Sequence, residues 1–436
     1  MTQASPSLPV KVAIVGCGNR GTIYSTYAQQ SSRMQVVQLA SRSSVRLRSL
    51  AKKLSLDDSS CYSSWEDLLN APKIADAVLI CVIDRLHKEV AVAFANKGYH
   101  ILLEKPMATE IDDCKEVYDA VRRNNIILGV SHVLRYTAYN QKIKEIIDSG
   151  ALGDIAGIQH MEPVGHYHFA HSYVRGNWRK EAESSFSLMS KSCHDIDILL
   201  YFLGDKAQCT KVSSFGGLSH FTKDKKPAEA QGATKCLDCP HEQNCAYSAK
   251  KIYLEPIEKG HTGWPVDGIT DIVDIENVHK ALAAGPYGRC VYECDNDVCD
   301  NQVVNMEFTG NKYVSFSMVA FTEEICVRKT RIFGSKGELV GDGNESIEVY
   351  DFLTGQKTKH TPQLVTGSLA GHGGGDMGVI TAFVDAVAHN NQSFMSSDAL
   401  NSLDSYLVVF AAEEARRQGK VVNLDEFRKQ HNITII

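Results

Sequence analysis

The sequence predicts an α/β domain with a doubly wound parallel sheet, followed by an α+β domain with a large, mostly antiparallel open sheet. Three observations carry this prediction. Apolar, β-branched runs alternate with helical segments over residues 11–131, as expected of strands covered on both faces by crossover helices. From about residue 155 the strands follow one another directly, joined by glycine-bearing turns. The length of 436 residues suits two cores better than one. The expected division is 1–133 for the first domain and 134–436 for the second. Within the latter, 208–300 reads as a cysteine-containing insertion with little regular structure, and 396–436 as a C-terminal helix and tail.

In chain order, "KVAIVG", "MQVVQLAS", "ADAVLICVI", "HILLEK" and "IILGVS" are the five strands of the first sheet. Two intervening or following helices stop where a glycine permits a left-handed cap, at Gly98 and Gly150. In the second region, "QVVNMEF", "KYVSFSMVAF", "KTRIFGS", "GELVGDG" and "SIEVYDF" read as strands. Gly310-Asn311, the Gly334–Gly337 turn and Thr354-Gly355 make hairpins of them. Val314, Phe316, Met318 and Ala320 alternate with Ser315 and Ser317, so one face of that sheet is packed. "ALNSLDSYLVVFAAEEARRQGK" reads as a long amphipathic helix.

The composition excludes several classes. A net charge of −6 lacks the basic excess of a nucleic-acid footprint. No run approaches the roughly 18 apolar residues of a membrane span. The opening "MTQASPSLPV" lacks the basic and apolar regions of a secretory signal, so cytoplasmic residence is expected. Thirteen cysteines, an odd number and mostly scattered singly, suit reduced thiols better than a disulfide framework.

"VAIVGCGNRG" sets Gly16, Gly18 and Gly21 in the G-x-G-x-x-G pattern, directly after a strand and opening a helix. That is the fingerprint of a Rossmann dinucleotide site: a tight turn, a close backbone approach to the pyrophosphate, and close helix–strand packing. Asn19 and Arg20 lie inside the motif and join the cofactor-binding set. The acidic residue expected after the second strand is missing, and Ser41 and Arg42 stand in its place. A hydroxyl and a guanidinium favour a 2′-phosphate over free ribose hydroxyls, so NADP is preferred to NAD.

"LLEKPMA", taken with that fingerprint, resembles the Gfo/Idh/MocA oxidoreductases, the glucose–fructose oxidoreductase and inositol dehydrogenase family. "AVLICVIDRLHKEVAVAFANKGYHILLEKP", "GVSHVLRY…SGALGDI", "HDID" and "SDAL…VVFAAEEARRQG" extend the resemblance over nearly the whole chain. It implies that Lys105 lies near the nicotinamide and the substrate hydroxyl, with Glu104 shaping the turn. It adds Asp84 and His87 to the cofactor side, and Arg135 and Tyr136 to the substrate side. The family's D-x-x-x-H-x-x-D element is matched by His194 and Asp197, but Ser190 replaces its first aspartate and Lys191 follows at once. Lys191, His194 and Asp197, three apart, would form one polar stripe on a helix. Lys191 there either replaces a lost substrate contact or forms a structural cap with the aspartate.

The segment "HYHFAHSYVRGNWR" combines aromatic faces with polar donors, as sugar sites do, and makes Trp178 and Arg179 the substrate-side candidates. In "GHGGGDMG", His372 is a further candidate, and Asp376 is either an N-cap or a substrate contact. Cys236, Cys239 and Cys245 would hold a structural zinc if His241, His261 or Cys209 supplied a fourth ligand; otherwise they are free thiols. The expected activity is hydride transfer between NADP or NAD and a secondary alcohol of a sugar, cyclitol or related polyol. Lys105 and His194 are the expected proton donors and acceptors. Two alternatives fit the same residues: a redox-assisted glycosidase that recycles its cofactor, and a non-catalytic dinucleotide-binding regulator. The open sheet face suggests a homodimer or homotetramer, with neither nucleic acid nor membrane as partner.

Overall fold

The computed structural model describes residues 8–204, 207–363, 365 and 371–433. The first sheet holds β1 (Val10–Val15), β2 (Met34–Ala40), β3 (Cys61–Tyr62), β4 (Ala77–Ile80), β5 (His100–Leu103) and β6 (Leu128–Val130). All pair in parallel, in the order β3-β2-β1-β4-β5-β6. The order reverses between β1 and β4, which opens a crevice at their carboxyl ends, where such sheets bind ligands. β4 and β5 are buried at every position, which is why their sequences run apolar without alternation.

One cover of this sheet comes from far down the chain. Helix Gly375–Ala388 packs Val379, Ile380, Phe383 and Val384 into one cluster with Val12 and Ile14 of β1 and Leu79 of β4. Each such fully buried side chain contributes about 1.5–3 kcal/mol. The first domain's core therefore draws on residues beyond the division expected at 133.

The second sheet has nine strands: β7 (Ile155–Pro163), β8 (Cys209–Gly217), β9 (Asn301–Phe308), β10 (Lys312–Val319), β11 (Lys329–Gly334), β12 (Gly337–Gly341), β13 (Ile347–Asp351), β14 (Lys357–His360) and β15 (Val422–Asn423). Their order is β14-β13-β12-β11-β7-β10-β9-β8-β15, and only β7 and β10 pair in parallel. β7 and β8 escape the sequence reading for physical reasons. β7 buries His160 and Glu162 where a core strand would carry apolar residues, and β8 is mostly hydroxylic and small. Helices Cys193–Leu203 and Ala399–Gln418 cover one face of this sheet. The opposite face exposes Phe215, Tyr313, Val340 and Tyr350.

The insertion after β8 consists of one-turn helices and helix Ile275–Ala284 around a small core of Ile252, Tyr253, Val266, Val278 and Leu282. Among the described residues, no helix is long and apolar enough to cross a membrane.

Candidate active site

The glycine fingerprint lies in the crevice between β1 and β4, and its three glycines differ in function. Gly16 adopts φ +104°, and a Cβ there would lie 2.3 Å from the Cys81 carbonyl oxygen after β4. A Cβ on Gly21 would lie 2.1 Å from the Gly16 carbonyl oxygen. These two allow β1, β4 and helix Asn19–Gln30 to close on one another. Gly18 is different, because among the described residues only Arg46 Nη1, at 3.6 Å, stands within 4 Å of its Cβ position. An open approach therefore leads to the helix start, where Asn19 is exposed and the first backbone N–H groups have no helical partner. The chain's own residues thus fit a dinucleotide.

The charged residues beside the fingerprint do something other than the sequence suggests. Arg20 donates to Glu104 Oε1 (2.7 Å), Tyr24 OH (2.6 Å) and Asp376 Oδ1 (2.8 Å), and Tyr24 OH donates to Glu104 Oε1 (2.6 Å). Burial alone would raise the Glu104 carboxyl, but Arg20 and Tyr24 hold it below the usual carboxylate range. Arg20 and Glu104 therefore brace the first helix against the end of β5. Asp376 is not the N-cap, a position Gly374 holds, and its carboxylate meets His372 Nδ1 (3.0 Å) and Arg20 (2.8 Å). Asp84 accepts from Trp178 Nε1 (2.8 Å) and Ser184 Oγ (3.2 Å). His87 is fully buried between the Pro106 and Val82 carbonyls, at 2.6 and 3.1 Å. Asp84 thus fixes the Trp178 side chain, and His87 ties the turn at Pro106 to the segment after β4. Ser41 accepts from Ser43 N, whereas Arg42 is exposed.

Lys105 leaves β5 through a cis Lys105–Pro106 peptide and donates to the Ser190 carbonyl at 2.6 Å. Its ammonium stands 5.9 Å from the centroid of the Trp178 ring. His194, in the first turn of helix Cys193–Leu203, is buried, and its Nδ1 has no hydrogen-bond partner. Burial first, then the charges of Lys105 and its neighbours, push the His194 imidazole well below its ordinary value. It is therefore neutral near pH 7 and has a free nitrogen. The rings of His132 and His372 stand 5.7 and 6.4 Å from it. His132 is fully buried with neither ring nitrogen bonded, and burial pushes it down to about 4. The sequence reading passed over His132, although it sits inside the quoted "GVSHVLRY".

A second group of charges lies beside this pair. Lys191 Nζ is 3.0 Å from Glu162 and 2.9 Å from Cys326 Sγ. Arg328 Nε is 2.8 Å from Glu162 and 2.9 Å from Asp195, which His160 Nε2 approaches at 3.3 Å. Burial would lower the Lys191 ammonium, but Cys326 and Glu162 raise it above its usual range. Lys191 is thus a fixed cation and not a proton acceptor. His168 Nδ1 lies 3.6 Å from Cys326 Sγ, and the Trp264 ring of the insertion packs 4.8 Å from the His168 ring.

The structure therefore brings together Lys105, Lys191, His194, Trp178 and His372, and directs four other candidates elsewhere. The stripe is broken because Lys191 ends the short helix Ser187–Ser190, while a new helix begins at Cys193. Asp197 is fully buried and receives both arms of Arg135 (2.7 and 2.8 Å) and the Ser405 hydroxyl (2.7 Å). It is therefore the buried ion-pair partner of Arg135. Tyr136 OH pairs with Ser397 Oγ at 2.9 Å in the core. Arg179 binds Asp295 of the insertion at 2.9 Å.

The expected zinc is also corrected. Among the described residues, no group of three or more His, Cys, Asp or Glu side chains could hold a metal. Cys236, Cys239 and Cys245 line a small cavity with Cys290, next to the fully buried Arg175. Arg175 donates to Cys236 Sγ (3.3 Å) and the Tyr247 carbonyl (2.7 Å), so a guanidinium supplies the positive charge there.

Two family models match this chain. The Gfo/Idh/MocA model for "Oxidoreductase family, NAD-binding Rossmann fold" covers residues 10–132, and its "C-terminal alpha/beta domain" covers 144–424. The Bacillus subtilis (strain 168) protein YteT is 23% identical over 72% of each chain. The 1,5-anhydro-D-fructose reductase of Ensifer adhaerens is 28% identical over 42% of this chain, a match that spans about half (54%) of the reductase. The scyllo-inositol dehydrogenase of Lactobacillus casei, solved with NAD(H) and scyllo-inositol, shares the fold at a TM-score of 0.64 and 18% identity. That alignment covers 96% of this chain and 100% of the dehydrogenase.

Proposed function

The chain belongs to the Gfo/Idh/MocA oxidoreductase family, and on that premise we propose hydride transfer between a nicotinamide cofactor, NADP(H) in preference to NAD(H), and a secondary alcohol of a sugar, cyclitol or related polyol. The observation that carries the reading is the neutral, buried His194 imidazole with an unpartnered Nδ1 beside the Lys105 ammonium. A bound nicotinamide supplies the hydride acceptor or donor. Gly16, Gly18 and Gly21 shape the groove for its phosphates. The His194 imidazole takes the hydroxyl proton in oxidation and returns it in reduction. Lys105 Nζ donates a hydrogen bond to the same oxygen and stabilises negative charge developing there. Trp178, held by Asp84, supplies an apolar face for the substrate ring.

Relatives that act on anhydrosugars and inositols support a polyol substrate. The exposed apolar face of the second sheet supports a homodimer or homotetramer, and thirteen free thiols support a reducing, cytoplasmic setting. A screen of the purified protein against sugars and polyols, read by reduced-cofactor fluorescence, tests the activity. Cofactor binding with no turnover on any of them would favour a regulator. A second reading, the redox-assisted glycosidase, is favoured by His372, an additional imidazole facing His194 and backed by Asp376. Glycosidic cleavage with no net change in nicotinamide would select it.

A further inference from the structure

The end of β2 lacks the acid that ordinarily receives the ribose hydroxyls, yet a carboxylate reaches that place from the insertion. Asp271 accepts from Arg46 Nε at 2.6 Å and from Ser43 Oγ at 3.1 Å. Ser43 caps helix Ser44–Leu54, the helix that follows β2, and Arg46 lies in its first turn. Arg46 Nη1 also stands 3.6 Å from the Gly18 Cβ position, so its guanidinium is at the mouth of the phosphate approach. Asp267 faces it as well: burial raises that carboxyl, and Arg46 draws it back down. The guanidinium at the cofactor edge is therefore paired with an acid of the insertion, while Arg42 is exposed.

We propose that Arg46 is the residue that reads the 2′-phosphate of NADP(H), and that Asp271 is an internal anion occupying the phosphate's place until the cofactor arrives. This inference rests on the nicotinamide-dependent function proposed above and names the specificity determinant of that site. The side chains of Arg46 and Asp271 are 36% and 38% exposed, and a pair so open to solvent is held weakly. A phosphate brings more charge than a carboxylate and fits the two-pronged guanidinium equally well, so it displaces the carboxylate. The Ser41 and Ser43 hydroxyls stand nearby as further donors. NADH, which has no phosphate at that position, gains nothing from displacing Asp271.

The test titrates full-length wild type, Arg46→Ala and Asp271→Asn with NADPH, NADH and 2′,5′-ADP, using fluorescence for the reduced cofactors and calorimetry for the fragment. Arg46→Ala is expected to weaken NADPH and 2′,5′-ADP by about tenfold or more, the scale of one charge-assisted contact, while NADH changes little. Asp271→Asn is expected to tighten NADPH by roughly two- to fivefold, because a weak competing pair has been removed. Equal losses of both cofactors in Arg46→Ala would overturn the assignment. So would weaker NADH binding in Asp271→Asn, since Asp271 would then be the ribose acceptor itself. A wild type that binds neither cofactor overturns the proposed function along with this inference, whereas the other two outcomes leave the function standing.

Discussion

The two walls of the site are built on opposite principles. The cofactor wall, at the β1–β4 crevice, is backbone and empty space: glycines, a helix start and an open approach at Gly18. The substrate wall, formed by β7 and the start of helix Cys193–Leu203, is dense with buried charge: Glu162, Lys191, Asp195 and Arg328 neutralise one another around His194. A wall of backbone can be read from residue spacing, because only glycine satisfies it. A wall of paired side chains cannot, because its partners lie far apart in the chain, 133 positions for Asp195 and Arg328.

The contrast is sharpest in stability. Asp197→Ala leaves Arg135 as an uncompensated buried cation, so unfolding free energy is expected to fall by about 3–5 kcal/mol in a denaturant titration. An Asp197→Ala protein of normal stability and raised KM would return Asp197 to the substrate wall. On the cofactor wall the same comparison runs between two glycines. Gly16→Ala forces a Cβ against the Cys81 carbonyl at a positive φ and is expected to destabilise the domain by about 1–3 kcal/mol. Gly18→Ala has room for its methyl group, so the fold should hold while dinucleotide affinity falls by about tenfold or more, as titration would show.

Acid should act through buried imidazoles. His100, His132 and His171 titrate near 6.5 when unfolded, and burial pushes each down to about 4 in the folded chain. Between those values the unfolded state binds more protons, so stability falls as pH drops through that window. Melting curves at pH 7 and pH 5 check the direction, and His132→Phe should flatten the slope. A slope unchanged by that substitution would mean that folding does not lower the His132 pKa. The smallest effect is expected at the cysteine cluster. Dialysis against a chelator should leave the melting temperature unaltered, since Arg175 supplies the positive charge beside those thiols.

Legibility followed the same division. The parallel strands, the glycine turn and the "EKP" turn were plain in the sequence because each is dictated locally. β7 was missed because His160 and Glu162, buried for the site, erase its apolar pattern. Lys191, His194 and Asp197 have the spacing of one helical face, but a chain break between two helices turns them to different partners. Arg42 occupies the expected position after β2, yet Arg46, one helical turn on, is the guanidinium that reaches Gly18. The C-x-x-C spacing could not show that a buried arginine lies beside those thiols.

In the proposed function His194 carries the proton, Lys105 stabilises charge on the substrate oxygen, and the glycine wall holds the cofactor. The most direct measurement is steady-state turnover of Lys105→Met and His194→Ala on a polyol found by the screen, together with NADPH and NADH titrations of both variants. Turnover is expected to fall by about 100-fold or more in each, the scale of general acid–base catalysis, while cofactor dissociation constants stay within about threefold. Near-normal turnover in either variant, or loss of cofactor binding in step with turnover, would contradict the account.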